Sequence, residues 1–152
     1  MEYFRLFESL PGRTGLSYGM GFGRWNEFGT PMIYACPASS LSFLELLSIK
    51  GPVVTQSIWK LAVLSIEESV PELDTGFLPI DWKNRPYPRS TQEFGTMWAK
   101  GMISPVLKIP SCRIPLKSYP KEHNLLINPL HKDFNHWVKI KEEWDVSFEV
   151  NQ

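Results

Sequence analysis

An arginine, a tyrosine and a carboxylate follow one another closely in the N-terminal third of the chain. Arg24 sits in the glycine-rich stretch Gly21-Phe22-Gly23-Arg24-Trp25-Asn26, and Tyr34 and Glu45 come just downstream. A guanidinium offers a planar fork of donors that matches a phosphate or a carboxylate. A phenol can stack on a flat ring while its hydroxyl makes one directed bond. A carboxylate in a partly apolar cleft can stabilise a developing positive charge. Together these groups suit a pocket for a phosphate-bearing ligand, with glycines that let the backbone approach it.

Each residue also has a plainer reading. Arg24 suits a surface salt bridge, Trp25 and Tyr34 suit a core, and Asn26 suits a turn. The glycines alone suit a surface loop. Gly19, Gly21 and Gly23 have the spacing of a dinucleotide-binding turn, but Arg24-Trp25-Asn26 follows where a helix should begin, so a Rossmann fingerprint is excluded on context. Glu45 says more. It falls beside the apolar stripe of the helix that carries it, where an unpaired carboxylate is costly to bury. It must therefore reach the rim or meet a partner such as Arg24.

In the second half, Ser111 follows an apolar strand and Pro110, where a hydroxyl can face a cleft. Asn124 and Asn128 bracket a short apolar run, with strand-end hydrogen bonding as their plainer role. His123, His131 and His136 have no metal-ligand spacing with one another or with a cysteine, so no metal is expected. No G-x-S-x-G elbow accompanies Ser111, which argues against a serine hydrolase of that kind.

The elements that must hold these residues are short. Thirteen prolines and 13% aromatic residues predict brief strands and helices around an aromatic core. A strand is expected over residues 1–7, a loop from Gly12 to Gly29, and a buried strand through Met32-Ile33-Tyr34. A helix capped by Ser39 or Ser40 runs to Ile49 with Gly51 as its stop, its stripe made by Leu41, Leu44 and Leu47. Thr55 to Glu67 reads as a longer strand and Val70 to Pro88 as a loop or linker. The capping-box pattern Ser90-Thr91-Gln92-Glu93 starts a helix to Lys100 with Phe94, Met97 and Trp98 on its apolar face, ended by Gly101. Ile103 to Ile109 reads as a strand, at an edge or starting late because of Pro105. Leu125-Leu126-Ile127 is a short strand, and Trp137 to Phe148 holds one or two more. The fold class is mixed α/β.

The 152 residues fit one domain, 1–152, able to bury roughly 70% of its unfolded surface without a staple. Sixteen basic and sixteen acidic side chains cancel, which leaves no global electrostatic reason for nucleic acid or an anionic membrane as the main partner. No apolar run approaches the ~20 residues that span a bilayer. Met1 to Arg5 lacks the apolar segment of a signal peptide. Cys36 and Cys112, far apart and outside any CxxC, read as free thiols in a cytoplasmic protein.

Taken in order, the motifs resemble the RES domain, the toxin half of RES–Xre toxin–antitoxin pairs. Phe4-Arg5-Leu6 is followed by Gly23-Arg24-Trp25-Asn26, Gly29-Thr30-Pro31 and Tyr34, then by Leu44-Glu45. Further on come Ser90 with Phe94-Gly95 and Trp98, the run Val106-Leu107 with Ile109-Pro110-Ser111, and Glu122-His123-Asn124-Leu125-Leu126-Ile127-Asn128-Pro129 with His131 and Phe134. The proline-rich Ser69 to Arg89 carries no matched motif. The resemblance implies a compact mixed α/β core similar to ADP-ribosyltransferases, with Arg24, Tyr34, Glu45 and Ser111 as the active site. It implies cleavage of NAD at the nicotinamide–ribose bond, by phosphate or by water, with no cofactor. It also implies a helix-turn-helix Xre-type antitoxin that blocks the cleft. In this reading Tyr34 packs on the nicotinamide, Arg24 holds the pyrophosphate or incoming phosphate, and Arg5 is a second cation for the same anion. Gly23, Trp25, Asn26, Asn124 and Asn128 complete the substrate-binding set. Transfer of ADP-ribose to a protein, and a non-catalytic interaction domain on the same scaffold, are the competing readings.

Overall fold

Six strands and three helices follow from this sequence, and the computed structural model describes them over residues 1–150. β1 (Glu2–Glu8), β3 (Trp59–Ser65) and β6 (Lys139–Val146) form one antiparallel sheet in the order β1-β3-β6. β2 (Ile33–Ala35), β4 (Val106–Ile109) and β5 (Asn124–Ile127) form a second, also antiparallel, in the order β2-β5-β4. Phe4 and Cys36 join the two sheets through reciprocal backbone bonds of 2.7 and 3.0 Å.

Strand alternation sorts the side chains of the second sheet. Ile33, Ala35, Val106, Leu125 and Ile127 face Tyr3, Phe7, Ala62 and Leu64 of the first sheet and make the main core. Leu107, Ile109 and Leu126 point the other way, where Trp25, Met32, Leu73, Trp82 and Ala99 cover them. Each buried aliphatic side chain here contributes roughly 1.5–3 kcal/mol. The second, smaller core fixes the glycine loop and the proline-rich segment onto one face of the sheet.

α1 (Ser39–Lys50) ends at Gly51, whose φ of 58° is the left-handed conformation that glycine takes without strain. Its N-cap is Ala38, not Ser39 or Ser40, and no side chain caps it. Its buried face holds Leu41 and Ser42, and Leu44 is exposed. The expected stripe is displaced because Ser42 packs on β1, donating from Oγ to the Phe4 carbonyl at 3.0 Å. β3 starts at Trp59; the residues before it, Gly51–Gln56, wind into a 3₁₀ turn that accepts the Trp59 indole N–H on the Val54 carbonyl.

α2 (Arg89–Gly101) also departs from its expected cap and, at one position, from its expected face. Pro88 is the N-cap residue, and Ser90 donates instead to the Asp81 carboxylate at 2.5 Å. The fully buried residues are Thr91, Gly95, Thr96 and Ala99; Phe94 and Trp98 pack half-buried against the second core as expected, and Met97 is exposed. Close approach of the glycine loop selects small residues here. β4 begins at Val106, after Pro105, at an edge of its sheet. Trp137 belongs to the short α3 (Phe134–Trp137), not to a strand. No helix is long and apolar enough to cross a membrane among the described residues.

Candidate active site

The loop 21–30 is held by its own asparagine. Asn26 is buried and donates from Nδ2 to the Gly21 and Thr30 carbonyls at 2.9 and 2.8 Å. Its Oδ1 accepts the Tyr34 hydroxyl at 2.5 Å, and that hydroxyl accepts the Trp25 N–H at 3.0 Å. Burial pushes the Tyr34 phenol far above its usual range, so it stays a neutral donor. From α2, Gln92 donates to the Gly23 carbonyl at 3.0 Å and Thr96 accepts the Glu27 N–H at 3.0 Å.

Arg24 is therefore delivered from a rigid loop. Its Nη1 donates to the Trp82 and Asn84 carbonyls at 2.8 and 2.9 Å, and the guanidinium lies 5.0 Å from the centre of the Tyr87 ring. Its Nη2 is buried and finds no partner among the described residues. An orphaned donor on a cation is expensive unless an anion completes it.

Glu45 projects from α1 toward the strand ends. Its Oε1 accepts from Ser111 Oγ at 2.5 Å and from Asn124 Nδ2 at 2.9 Å. Ser111 follows β4 and Asn124 opens β5, so two adjacent strands aim at one carboxylate oxygen. Ser111 Oγ in turn accepts the Arg113 N–H at 3.0 Å, and Asn124 Oδ1 accepts the Cys36 thiol at 3.3 Å. The expected Arg24 partner is absent: the cation beside Glu45 is Arg113, with Nε 3.6 Å from Oε2.

These groups surround a cavity of about 320 Å³ lined by Gly23, Arg24, Trp25, Tyr34, Glu45 and Asn124, among others. It joins a wider, more open depression of about 870 Å³ that carries Phe28, Arg85 and Arg89. Phe22, Ile49, Tyr87 and Arg113 line both. The cavity volumes lie within the range that encloses small ligands. Burial pushes the Cys36 thiol up to about 12 and also raises Cys112, so both cavity-lining cysteines are protonated and poor nucleophiles.

Several expected positions fall elsewhere. Arg5 touches the cavity, but its Nη1 donates to the Gly15 and Ser17 carbonyls at 2.7 Å each, and burial beside Arg13 lowers its pKa to about 10. It is a brace for the 12–19 loop more than a free cation. Asn26 holds the loop from behind and does not line the cavity. Asn128 is remote from it. Its Nδ2 donates to the Ala99 carbonyl at 2.9 Å, and His131 bonds the Met102 carbonyl at 2.9 Å, so the pair closes the C-terminus of α2. No group of His, Cys, Asp and Glu suited to a metal occurs among the described residues.

Arg113 and Tyr87 did not stand out in the sequence. Tyr87 lies between prolines in a stretch without periodicity. Arg113 had one signal, an arginine two residues past the strand-ending serine.

The mixed α+β fold, with two small antiparallel sheets and short helices, has a solved counterpart. The crystal structure of the M. tuberculosis MbcT–MbcA toxin–antitoxin complex superposes with a TM-score of 0.73, covering 96% of this chain and 84% of that one at 15% identity. At that identity the likeness concerns the fold. The RES domain model matches residues 2–149, and the chain belongs to the RES domain family. It is 36% identical over 113 residues to a protein named Toxin Res from Yersinia enterocolitica, covering 74% of this chain and 71% of that one. A Toxin Res from Photorhabdus laumondii is 34% identical over 127 residues, covering 81% and 76%. A Prs ADP-ribosylating toxin from a Sphingobium strain is 34% identical over 115 residues, covering 73% and 68%.

Proposed function

We propose that this protein is the toxin of a toxin–antitoxin pair and that it cleaves the nicotinamide–ribose bond of NAD. The observation that carries the reading is the carboxylate of Glu45, fixed by Ser111 and Asn124 at the wall of a cavity that also holds Tyr34 and the free Nη2 of Arg24. Cleavage breaks the bond from nicotinamide nitrogen to ribose C1. The bond electrons leave with nicotinamide and neutralise its pyridinium charge, and the ribose becomes oxocarbenium-like. Glu45 stabilises that charge or grips a ribose hydroxyl more tightly as it forms. The Tyr34 ring offers an aromatic face to the cationic nicotinamide. Arg24 holds a phosphate oxygen of the substrate or of an incoming phosphate. An oxygen of phosphate or water then bonds to C1 and gives up its proton, yielding ADP-ribose 1″-phosphate or ADP-ribose. Depletion of the cytoplasmic NAD pool arrests growth, and a helix-turn-helix antitoxin restrains the enzyme by covering the cleft.

Purified protein incubated with NAD, with and without phosphate, tests this directly. Release of nicotinamide with free ADP-ribose 1″-phosphate identifies phosphorolysis, and free ADP-ribose identifies hydrolysis. Glu45→Gln is expected to lower the rate by at least about 10²–10³-fold with an unchanged circular dichroism spectrum. Turnover equal to wild type would remove Glu45 from the mechanism. The name of the Sphingobium relative favours a second reading, transfer of ADP-ribose to a protein. Label from NAD retained on protein, with little free product, would decide for it.

A further inference from the structure

Arg113 occupies the junction between the inner cavity and the outer depression and lines both. Its side chain is 13% exposed, and its Nε is buried without a hydrogen-bond partner among the described residues. Glu45 Oε2 is 3.6 Å away, too far for a hydrogen bond though close enough for charge attraction. Both protein donors to the carboxylate use Oε1. Arg113 and Oε2 thus face each other, oriented by their neighbours but not joined.

The other cations around the junction are placed differently. Arg89 is committed to Glu93 at 2.6 Å, and Arg24 spends Nη1 on the Trp82 and Asn84 carbonyls, which lie outside the cavity lining. Arg85 is exposed on the outer depression. A ligand that spans both spaces with its reacting ribose against Glu45 crosses the junction lined by Phe22, Ile49, Tyr87 and Arg113, where Arg113 is the one cation among the described residues. In a dinucleotide, the group that makes that passage is the diphosphate.

We propose that Arg113 is a specificity-determining residue that binds the diphosphate of a dinucleotide and in doing so withdraws from Glu45. This inference rests on the NAD-cleaving reading above. In the free protein the guanidinium partly neutralises Glu45. A diphosphate offers it better acceptors at hydrogen-bonding distance, and the carboxylate is left to face the charge that develops on ribose. A nicotinamide riboside, which has no phosphate, leaves the Arg113–Glu45 attraction in place. The site therefore prefers NAD to the riboside through the charge on Glu45 as well as through binding.

The test compares wild type, Arg113→Gln and Arg113→Lys in two measurements. Thermal melting first establishes that the variants are folded. Calorimetric titration with ADP-ribose reads diphosphate binding without any reaction, and here Arg113→Gln is expected to weaken binding at least about tenfold, the loss that follows removal of a charge-assisted hydrogen bond. Arg113→Lys, with its charge but not its fork, falls between. Unchanged ADP-ribose affinity in Arg113→Gln would overturn the proposal even if NAD is cleaved. Nicotinamide release from NAD and from nicotinamide riboside gives the second readout. Arg113→Gln should raise KM and lower kcat for NAD, and leave kcat/KM for the riboside within about twofold or raise it, since the loss is confined to substrates that carry the diphosphate. An equal loss on both substrates would reduce Arg113 to a positioning group for Glu45. If wild type binds ADP-ribose through Arg113 but releases no nicotinamide from either substrate, the NAD-cleaving reading fails and the diphosphate assignment stands.

Discussion

The tyrosine hydroxyl at position 34 has committed its one proton to the protein itself. It donates to Asn26 Oδ1 and accepts from Trp25 N–H, so its polar end secures the arginine loop while its ring lines the cavity. Tyr34→Phe keeps the ring and removes both bonds, stranding the Trp25 N–H in a buried position. We expect a stability loss of about 1–3 kcal/mol by chemical denaturation and weaker phosphate binding, because Arg24 is carried on that loop. A Tyr34→Phe protein as stable as wild type would show that Asn26, Gln92 and Thr96 hold the loop without it. The same reasoning explains what could be read from the chain. Residue type and order singled out Arg24, Tyr34, Glu45, Asn124 and Ser111; the first four line one cavity, and Ser111 reaches it only through its bond to Glu45. The division of labour was not legible. Whether Tyr34 meets a ligand or Asn26, and whether Glu45 faces Arg24 or Arg113, depends on side chains that approach from elements far apart in sequence.

At the scale of elements, the site depends on how closely α2 can approach the glycine loop. A Cβ added to Gly95 would sit 1.6 Å from the Trp25 carbonyl oxygen and 2.6 Å from its carbon, both backbone atoms. Neither can yield as a flexible side chain would. Gly95→Ala must push the helix from the loop, breaking the Thr96–Glu27 and Gln92–Gly23 bonds that lie on either side. The expected cost is about 3 kcal/mol or more, at the upper end for overpacked cores, read as a lowered denaturation midpoint together with lost activity. A midpoint within error of wild type would mean that the helix is not seated as described. Of the expected apolar face, Phe94 and Trp98 pack against the second core, Phe94 edge-to-face with Trp25; Met97 is exposed, and Gly95 and Thr96 take the contact with the loop. Periodicity located α2 and the strands because each carries its own apolar pattern, while α1 was marked chiefly by its glycine stop at Gly51. It missed the capping arrangement of α2, where Ser90 reaches Asp81 in a segment that has no pattern of its own.

Over the whole molecule, one buried histidine ties the two sheets. His123, just before β5 in the second sheet, meets the Tyr3 hydroxyl of β1 through Nε2 at 3.0 Å and the Pro120 carbonyl through Nδ1 at 2.8 Å. The carbonyl can only accept, so Nδ1 carries the proton and Nε2 accepts from Tyr3. The imidazole is neutral and fully inside. Burial lowers its pKa below the usual 6.5; the Pro120 bond opposes this, Lys108 adds to it and Glu72 opposes it. Because the folded pKa is below the unfolded one, the unfolded chain binds more protons in the interval between them, and stability rises with pH there. The contribution is fully present above about pH 6.5 and is lost as pH falls toward the folded value. Protonation at Nε2 would also set two donors, imidazolium and phenol, against each other until the Tyr3 hydroxyl turns. Melting temperature should thus fall from pH 6.5 to pH 5 more steeply in wild type than in His123→Gln, which lacks the titrating group and starts less stable. Parallel slopes in the two proteins would place the acid sensitivity elsewhere. The link matters for function because β5 delivers Asn124 to Glu45. Loosening the sheet-to-sheet tie at low pH should therefore disturb the cavity before the β1-β3-β6 sheet unfolds.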